Sequence, residues 1–290
     1  MPHPAARPTA EAPKHTASDL TEEFQELLGD KITLRRSLEE LRVNYRNSKP
    51  FPHLVLDNLF LARDLDALLT EMAHMSREQW ASMEQDPRER TVRMRSAAEI
   101  GAAGERLLSI LHSAAFLYLL AEITGIGQLL PDPYLKGAGY ARMRRGDYFS
   151  VHSDRNMAYE TGLTRRIAMI IFLNKGWRRE WHGELELWSH DGRRCDVLID
   201  PLFNRTVLFE VADPNFHGVP QPLACPGDRI RQSFILYYHT VGAEERVLPH
   251  SSLFAPRFYG SNRLRWRSLL REITPPVMTR VIRRMSKLEP

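Results

Sequence analysis

Arg166-Ile167-Ala168-Met169-Ile170-Ile171-Phe172-Leu173-Asn174 is the stretch whose reading decides the fold. Every position from Ile167 to Leu173 is apolar, so both faces of an extended chain would be apolar. A strand held between a barrel interior and packed helices has that pattern. Working outward, 140–143, 148–152, 183–188, 195–199, 205–211 and 231–239 also read as extended. Turn residues separate them, among them Asn174-Lys175-Gly176, His190-Asp191-Gly192 and Cys225-Pro226-Gly227-Asp228. Short strands at this spacing, with no helices between them, indicate a sandwich or barrel rather than a parallel sheet.

The N-terminal third has a different texture. Residues 1–17 are rich in Pro, Ala and Thr without an apolar period, which predicts disorder. Asp19 with Glu22 opens a short helix that Gly29 ends. Asp30 precedes a second helix, with Leu34, Leu38, Leu41 and Tyr45 at helical spacing. Residues 50–57 predict an entry strand, and 62–72 and 103–123 predict helices. The expected class is α+β with a mainly β core. Its units are a disordered segment 1–17, a helical segment 18–49, a catalytic-size β domain 50–245 and a basic extension 246–290.

Length and composition set bounds. A chain of 290 residues with 43% hydrophobic and 26% charged content has the make-up of an ordinary globular protein with one sizeable core. The most apolar helix is interrupted by Glu122, so no transmembrane segment is expected. The N-terminus lacks a basic-then-apolar export signal, and Cys195 and Cys225 form neither a disulfide framework nor a zinc-type pair. A cytoplasmic setting is expected. The net charge of +4 is uneven, because 256–290 carries nine Lys/Arg against two Glu. Such a tail, with Arg280, Arg283 and Arg284 on a predicted helix, can meet an anionic partner, although a solvated helical face is the commoner explanation. No nucleic-acid motif accompanies it.

His152-Ser153-Asp154, followed by His217 and Arg231, carries the chemistry. On a strand His152 and Asp154 share a face, so both can reach one ion. Two imidazoles and one carboxylate suit a mononuclear non-haem Fe(II) centre and leave the opposite positions open. Taken singly, each residue is more commonly a surface ion-pair member or a turn histidine. His182-Gly183-Glu184 offers a rival pair of the same geometry, but it leaves Arg231 without an obvious partner. Arg231 and Ser233 share another strand face and present a forked guanidinium and a hydroxyl, suited to a carboxylate at the end of a short chain. Arg229 has the same parity and is the fallback.

These residues lie among blocks that together resemble the Fe(II)/2-oxoglutarate-dependent oxygenases, in particular the bacterial prolyl-4-hydroxylase-like superfamily. The blocks are Pro50-Phe51-Pro52-His53, His152-Ser153-Asp154, Phe172-Leu173-Asn174-Lys175-Gly176-Trp177, Gly183-Glu184-Leu185-Glu186-Leu187-Trp188, Asn204-Arg205 with Phe209, Phe216-His217-Gly218 and Arg231-Gln232-Ser233. The resemblance implies a double-stranded β-helix (jelly-roll) flanked by helices, iron ligation by His152, Asp154 and His217, and 2-oxoglutarate binding by Arg231 with Ser233. Ascorbate is a further candidate cofactor. Met143 stands where prolyl hydroxylases commonly have a tyrosine near the co-substrate, so Tyr140 is expected to take that role.

The implied reaction consumes O2 and 2-oxoglutarate, releases succinate and CO2, and hydroxylates an unactivated C–H bond of a small-molecule or peptidyl substrate. With Asp154 present no ligand position is vacant for chloride, so hydroxylation is expected rather than halogenation. Arg142, Arg144, Tyr148 and Trp181 are candidate substrate contacts. The competing readings are a peptidyl-prolyl hydroxylase, a non-catalytic jelly-roll binding module, and a basic interaction protein dominated by its tail.

Overall fold

Ser37 and Glu40 set where the first well-packed helix begins. In the computed structural model, which describes residues 17–82, 88–158, 161–242 and 250–255, with side chains from residue 22 onward, Ser37 N donates to Glu40 Oε2 and Glu40 N to Ser37 Oγ. This reciprocal capping box starts α2 (Leu38–Asn47), later than the Asp30 signal suggested, while α1 (Ala17–Leu28) precedes it as expected. Of the segment 1–17 expected to be disordered, Ala17 opens α1 and residues 1–16 lie outside the described residues, as does the basic stretch 256–290 with Arg280, Arg283 and Arg284.

Strand β1 (His53–Asp57) enters the sheet and α3 (Ala62–His74) follows it. A small hairpin, β2 (Trp80–Ser82) with β3 (Val92–Met94), comes next, its strands too short for a readable period. The single helix expected over 103–123 is two, α4 (Ala102–Leu111) and α5 (Ala114–Thr124), bent by 53°. Ser113 makes the break: its Oγ accepts from Phe116 N at 3.2 Å and caps the new helix. Among the described residues no single helix is long and apolar enough to cross a membrane.

Strands then dominate: β4 (Leu130–Pro131), β5 (Gly139–Met143), β6 (Phe149–Ser153), β7 (Met157–Ala158) and β8 (Leu163–Phe172). After them come β9 (Leu185–Trp188), β10 (Cys195–Ile199), β11 (Arg205–Glu210), β12 (His217–Val219), β13 (Arg231–Thr240) and β14 (Leu253–Phe254). Two antiparallel sheets result. The larger runs β1-β11-β8-β13-β5-β3-β2, with β4 and β7 on its margins; the smaller runs β10-β9-β12-β6-β14. This is a double-stranded β-helix with helices on the outside of the larger sheet.

The stretch 166–174 sits at the centre as expected. Strand β8 is flanked by β11 and β13 along most of its length. Ala168 and Ile170 line the interior cavity, while Ile167, Met169 and Ile171 are fully buried in the main core. One face therefore borders the cavity and the other the main core, which accounts for the unbroken apolar run. Bonds from β13 tie the other face to the helices: Tyr238 Oη donates to the Leu111 carbonyl oxygen at 3.2 Å. Phe172, Phe209 and Phe234 are fully buried nearby, and truncating such a ring to alanine costs about 3–5 kcal/mol.

Candidate active site

Strand pairing brings together the residues that the sequence kept apart. β12 lies against β6 so that His217 and His152 are direct cross-strand partners, with ring centroids 4.5 Å apart. Gly218 permits that approach, because a Cβ there would lie 2.9 Å from the Phe149 carbonyl oxygen. Asp154 follows the end of β6. Its Oδ1 lies 3.6 Å from His152 Nε2 and its Oδ2 lies 3.6 Å from His217 Nε2.

The rings are held from behind. Nδ1 of His152 donates to the Ser150 carbonyl oxygen at 2.8 Å, and Nδ1 of His217 to the Asn215 carbonyl oxygen at 3.2 Å. A carbonyl can only accept, so each Nδ1 carries the proton and each Nε2 presents a lone pair. Phe149 stacks on the His152 ring at 3.9 Å, and Phe209 lies 4.6 Å from that of His217.

Three donor atoms thus converge within 4.8 Å, all buried, without bonding one another. A 3.6 Å separation is too long for a hydrogen bond, and Asp154 Oδ2 is buried with no hydrogen-bond partner. An orphaned carboxylate oxygen facing two imidazole lone pairs fits a divalent cation, which binds such donors at roughly 2 Å. The rival pair makes no such group: among the described residues His152, Asp154 and His217 form the one cluster of this kind. The His182 carbonyl oxygen instead accepts from Trp177 Nε1.

Electrostatics agree with the geometry. Burial pushes the Asp154 carboxyl up, but its interactions with His152, His217 and Arg165 overcome that and hold it below the ordinary carboxylate range. Burial pushes His217 down to about 4, aided by His152 and opposed by Asp154. Carboxylate and neutral imidazole are the forms a metal requires.

The triad opens into a cavity of about 660 Å³, counting its mouth. Arg231 and Ser233 line it, paired across β5 with Met143 and Ala141. Arg231 is 5% exposed, its Nε donates to the Gly183 carbonyl oxygen at 2.7 Å, and its guanidinium lies 5.0 Å from the Phe172 ring. Burial pushes Arg231 down to about 10, against the opposing pull of Glu184. No carboxylate among the described residues pairs with it. Arg229, the fallback, is exposed beside Trp181.

Residues 138–239 match the family described as the 2OG-Fe(II) oxygenase superfamily. The chain carries that superfamily's domain over those residues. It is a 2-oxoglutarate-dependent oxygenase, with Fe(II) as its metal and 2-oxoglutarate as its co-substrate. Among solved structures, a prolyl hydroxylase from Trichoplax adhaerens, in complex with a hypoxia inducible factor peptide fragment, is 18% identical with a TM-score of 0.50, over 78% of this chain and 94% of that one. A Pseudomonas putida prolyl-4-hydroxylase is 17% identical with a TM-score of 0.45, over 70% of this chain and 100% of that one. A Burkholderia pseudomallei 2OG-Fe(II) oxygenase family oxidoreductase is 13% identical with a TM-score of 0.49, over 71% and 91%. The Trichoplax likeness is one of fold. No match was found among curated proteins.

In this oxygenase Tyr140 does not line the cavity. Alternation along β5 puts Ala141 and Met143 toward the cavity and Tyr140 on the helix side, where its hydroxyl donates to Glu71 and its ring packs 5.2 Å from Phe234. Arg142 also borders the cavity, with its guanidinium lying over the Trp80 ring at 3.8 Å. Arg144, Tyr148 and Trp181 do not line the cavity. Sequence reading missed Thr91 and Arg93, which line it from the unread hairpin. Arg93 donates to Glu89 Oε1 and, at 2.7 Å, to the Gly137 carbonyl oxygen.

Proposed function

We propose that His152, Asp154 and His217 hold the Fe(II), and that Arg231, with the Ser233 hydroxyl beside it, binds the far carboxylate of 2-oxoglutarate. The iron and its co-substrate supply the oxidising chemistry when bound, consuming O2 and releasing succinate and CO2. The chain's own residues bind and orient. The Nδ1 bonds of His152 and His217 aim their Nε2 lone pairs, Arg231 sets the co-substrate's depth, and apolar walls from Ala168, Ile170, Leu185 and Phe209 keep water away. The product is a hydroxylated small molecule or peptidyl residue.

One observation carries this reading. A fully buried guanidinium without a carboxylate partner among the described residues opens onto the same cavity as a buried carboxylate oxygen without a hydrogen-bond partner. Buried charges of this kind are costly unless a ligand completes them. The test is succinate release from 2-oxoglutarate. Release that requires Fe(II) and rises on adding a substrate from a panel of metabolites and peptides supports the proposal; no Fe(II)-dependent release in any condition would identify a non-catalytic module instead.

A further inference from the structure

The segment around β14 lies beyond the domain boundary expected at residue 245, yet it packs against the candidate metal centre. β14 pairs with β6 in the register Leu253 to Ser153 and Phe254 to His152, and Ala255 N donates to the Val151 carbonyl oxygen at 3.0 Å. Strand β6, which carries His152, would otherwise be the edge of the smaller sheet. An edge strand frays more readily and exposes unpaired backbone groups.

The side chains continue the contact. The Phe254 ring lies 5.7 Å from that of His152, on which Phe149 also stacks at 3.9 Å. Arg88 covers Phe254, its guanidinium 4.2 Å from the ring centroid. Four positions earlier His250 reaches the turn that delivers His217: its Nε2 lies 2.5 Å from Asp213 Oδ2. The other oxygen of Asp213 accepts from Ser153 Oγ at 3.1 Å, and His250 N donates to Asn156 Oδ1 at 3.1 Å. One short segment therefore touches β6, the residues after Asp154 and the 213–215 turn.

We propose that residues 250–255 are a strap that holds the two histidine-bearing segments in register, with Phe254 and His250 as positioning residues for His152 and His217. The inference rests on reading His152, Asp154 and His217 as the metal ligands. With Phe149 stacked on it and Phe254 packed 5.7 Å away, the His152 ring has little room to swing about its Cβ bond, so Nε2 keeps its aim before a cation arrives. Losing such a support costs metal affinity by on the order of 10-fold or more, without removing a ligand.

The experiment is a calorimetric titration of the full-length protein with Co(II), followed by its visible absorption, in wild type, Phe254→Leu, Phe254→Tyr, His250→Gln, Leu253→Ala and Asp154→Ala. Phe254→Leu keeps apolar bulk but loses the flat face. It should weaken Co(II) binding about 10-fold and alter the Co(II) spectrum, while its thermal midpoint stays near that of Leu253→Ala, whose residue pairs with Ser153 instead. Phe254→Tyr should restore both affinity and spectrum, and His250→Gln should weaken binding in the same direction. Phe254→Leu and His250→Gln with wild-type affinity and spectrum would reduce the strap to ordinary packing and overturn the proposal. Asp154→Ala that binds Co(II) as wild type does would instead overturn the ligand assignment on which it rests.

Discussion

Arg231 Nε donates to the Gly183 carbonyl oxygen at 2.7 Å, and that bond fixes the guanidinium against the wall of the cavity. Gly183 adopts φ +92°, and a Cβ there would come within 3.1 Å of Arg231 Cδ. The glycine thus serves the arginine twice, by aiming its own carbonyl and by leaving room for the side chain.

Removing the guanidinium should weaken co-substrate binding specifically. Arg231→Ala should raise the 2-oxoglutarate concentration needed for half-maximal succinate release by about 10- to 100-fold, since a hydrogen bond to a charged group contributes roughly 1.5–3 kcal/mol. Arg229→Ala, at an exposed position, should leave it unchanged. The reverse ranking in steady-state assays would move the anchor to Arg229.

Gly183→Ala should act on the same quantity from a distance. A side chain at positive φ costs about 1–2 kcal/mol, and the added methyl displaces Arg231. A several-fold weaker 2-oxoglutarate affinity by calorimetry, with a modest loss of thermal stability, is expected. Unchanged affinity would show that Arg231 does not depend on this contact.

Tyr140 separates a structural role from the co-substrate role. Its hydroxyl donates to Glu71, whose carboxylate also accepts from the Gly101 and Ala103 backbone N–H groups at the start of α4. Tyr140→Phe should cost about 1–2 kcal/mol in urea unfolding and leave the 2-oxoglutarate requirement as it is. A raised requirement with unchanged stability would return Tyr140 to the co-substrate.

Parity explains why this residue was misread while others were not. His152 with Asp154, and Arg231 with Ser233, were legible because spacing by two fixes a shared face whatever the strand's partners. Whether Tyr140 or Met143 faces the cavity depends on the register of β5 against β13, which one sequence does not encode locally. The central strand β8 was legible because it is buried on both faces. The β2–β3 hairpin and β14 have two or three residues each, too short for any period. The break at Ser113 was hidden because apolar residues run up to His112 and resume directly after Ser113. Cross-strand pairing joins His217 to His152, and only the order of motifs in the chain suggested it.

His239 predicts how stability responds to acid. It is 1% exposed and burial pushes it down to about 4, with the Asp132 charge opposing and Arg165 reinforcing. Its folded pKa lies below the unfolded value of about 6.5, so the unfolded chain binds more protons in between. Its neutral-form advantage is present above about 6.5 and is lost as pH falls toward 4. His239→Leu should therefore flatten part of the decline in urea midpoint between pH 7 and pH 5. An equal decline in variant and wild type would show that His239 does not titrate in this window.

The most direct measurement of the central claim is an anaerobic Fe(II) titration of wild type, Asp154→Ala and Glu184→Ala by calorimetry. Wild type should bind one Fe(II), Asp154→Ala should lose that binding, and Glu184→Ala should retain it, because the orphaned oxygen between His152 and His217 belongs to Asp154. Retained binding in Asp154→Ala together with loss in Glu184→Ala would contradict the account and place the metal at the His182 pair.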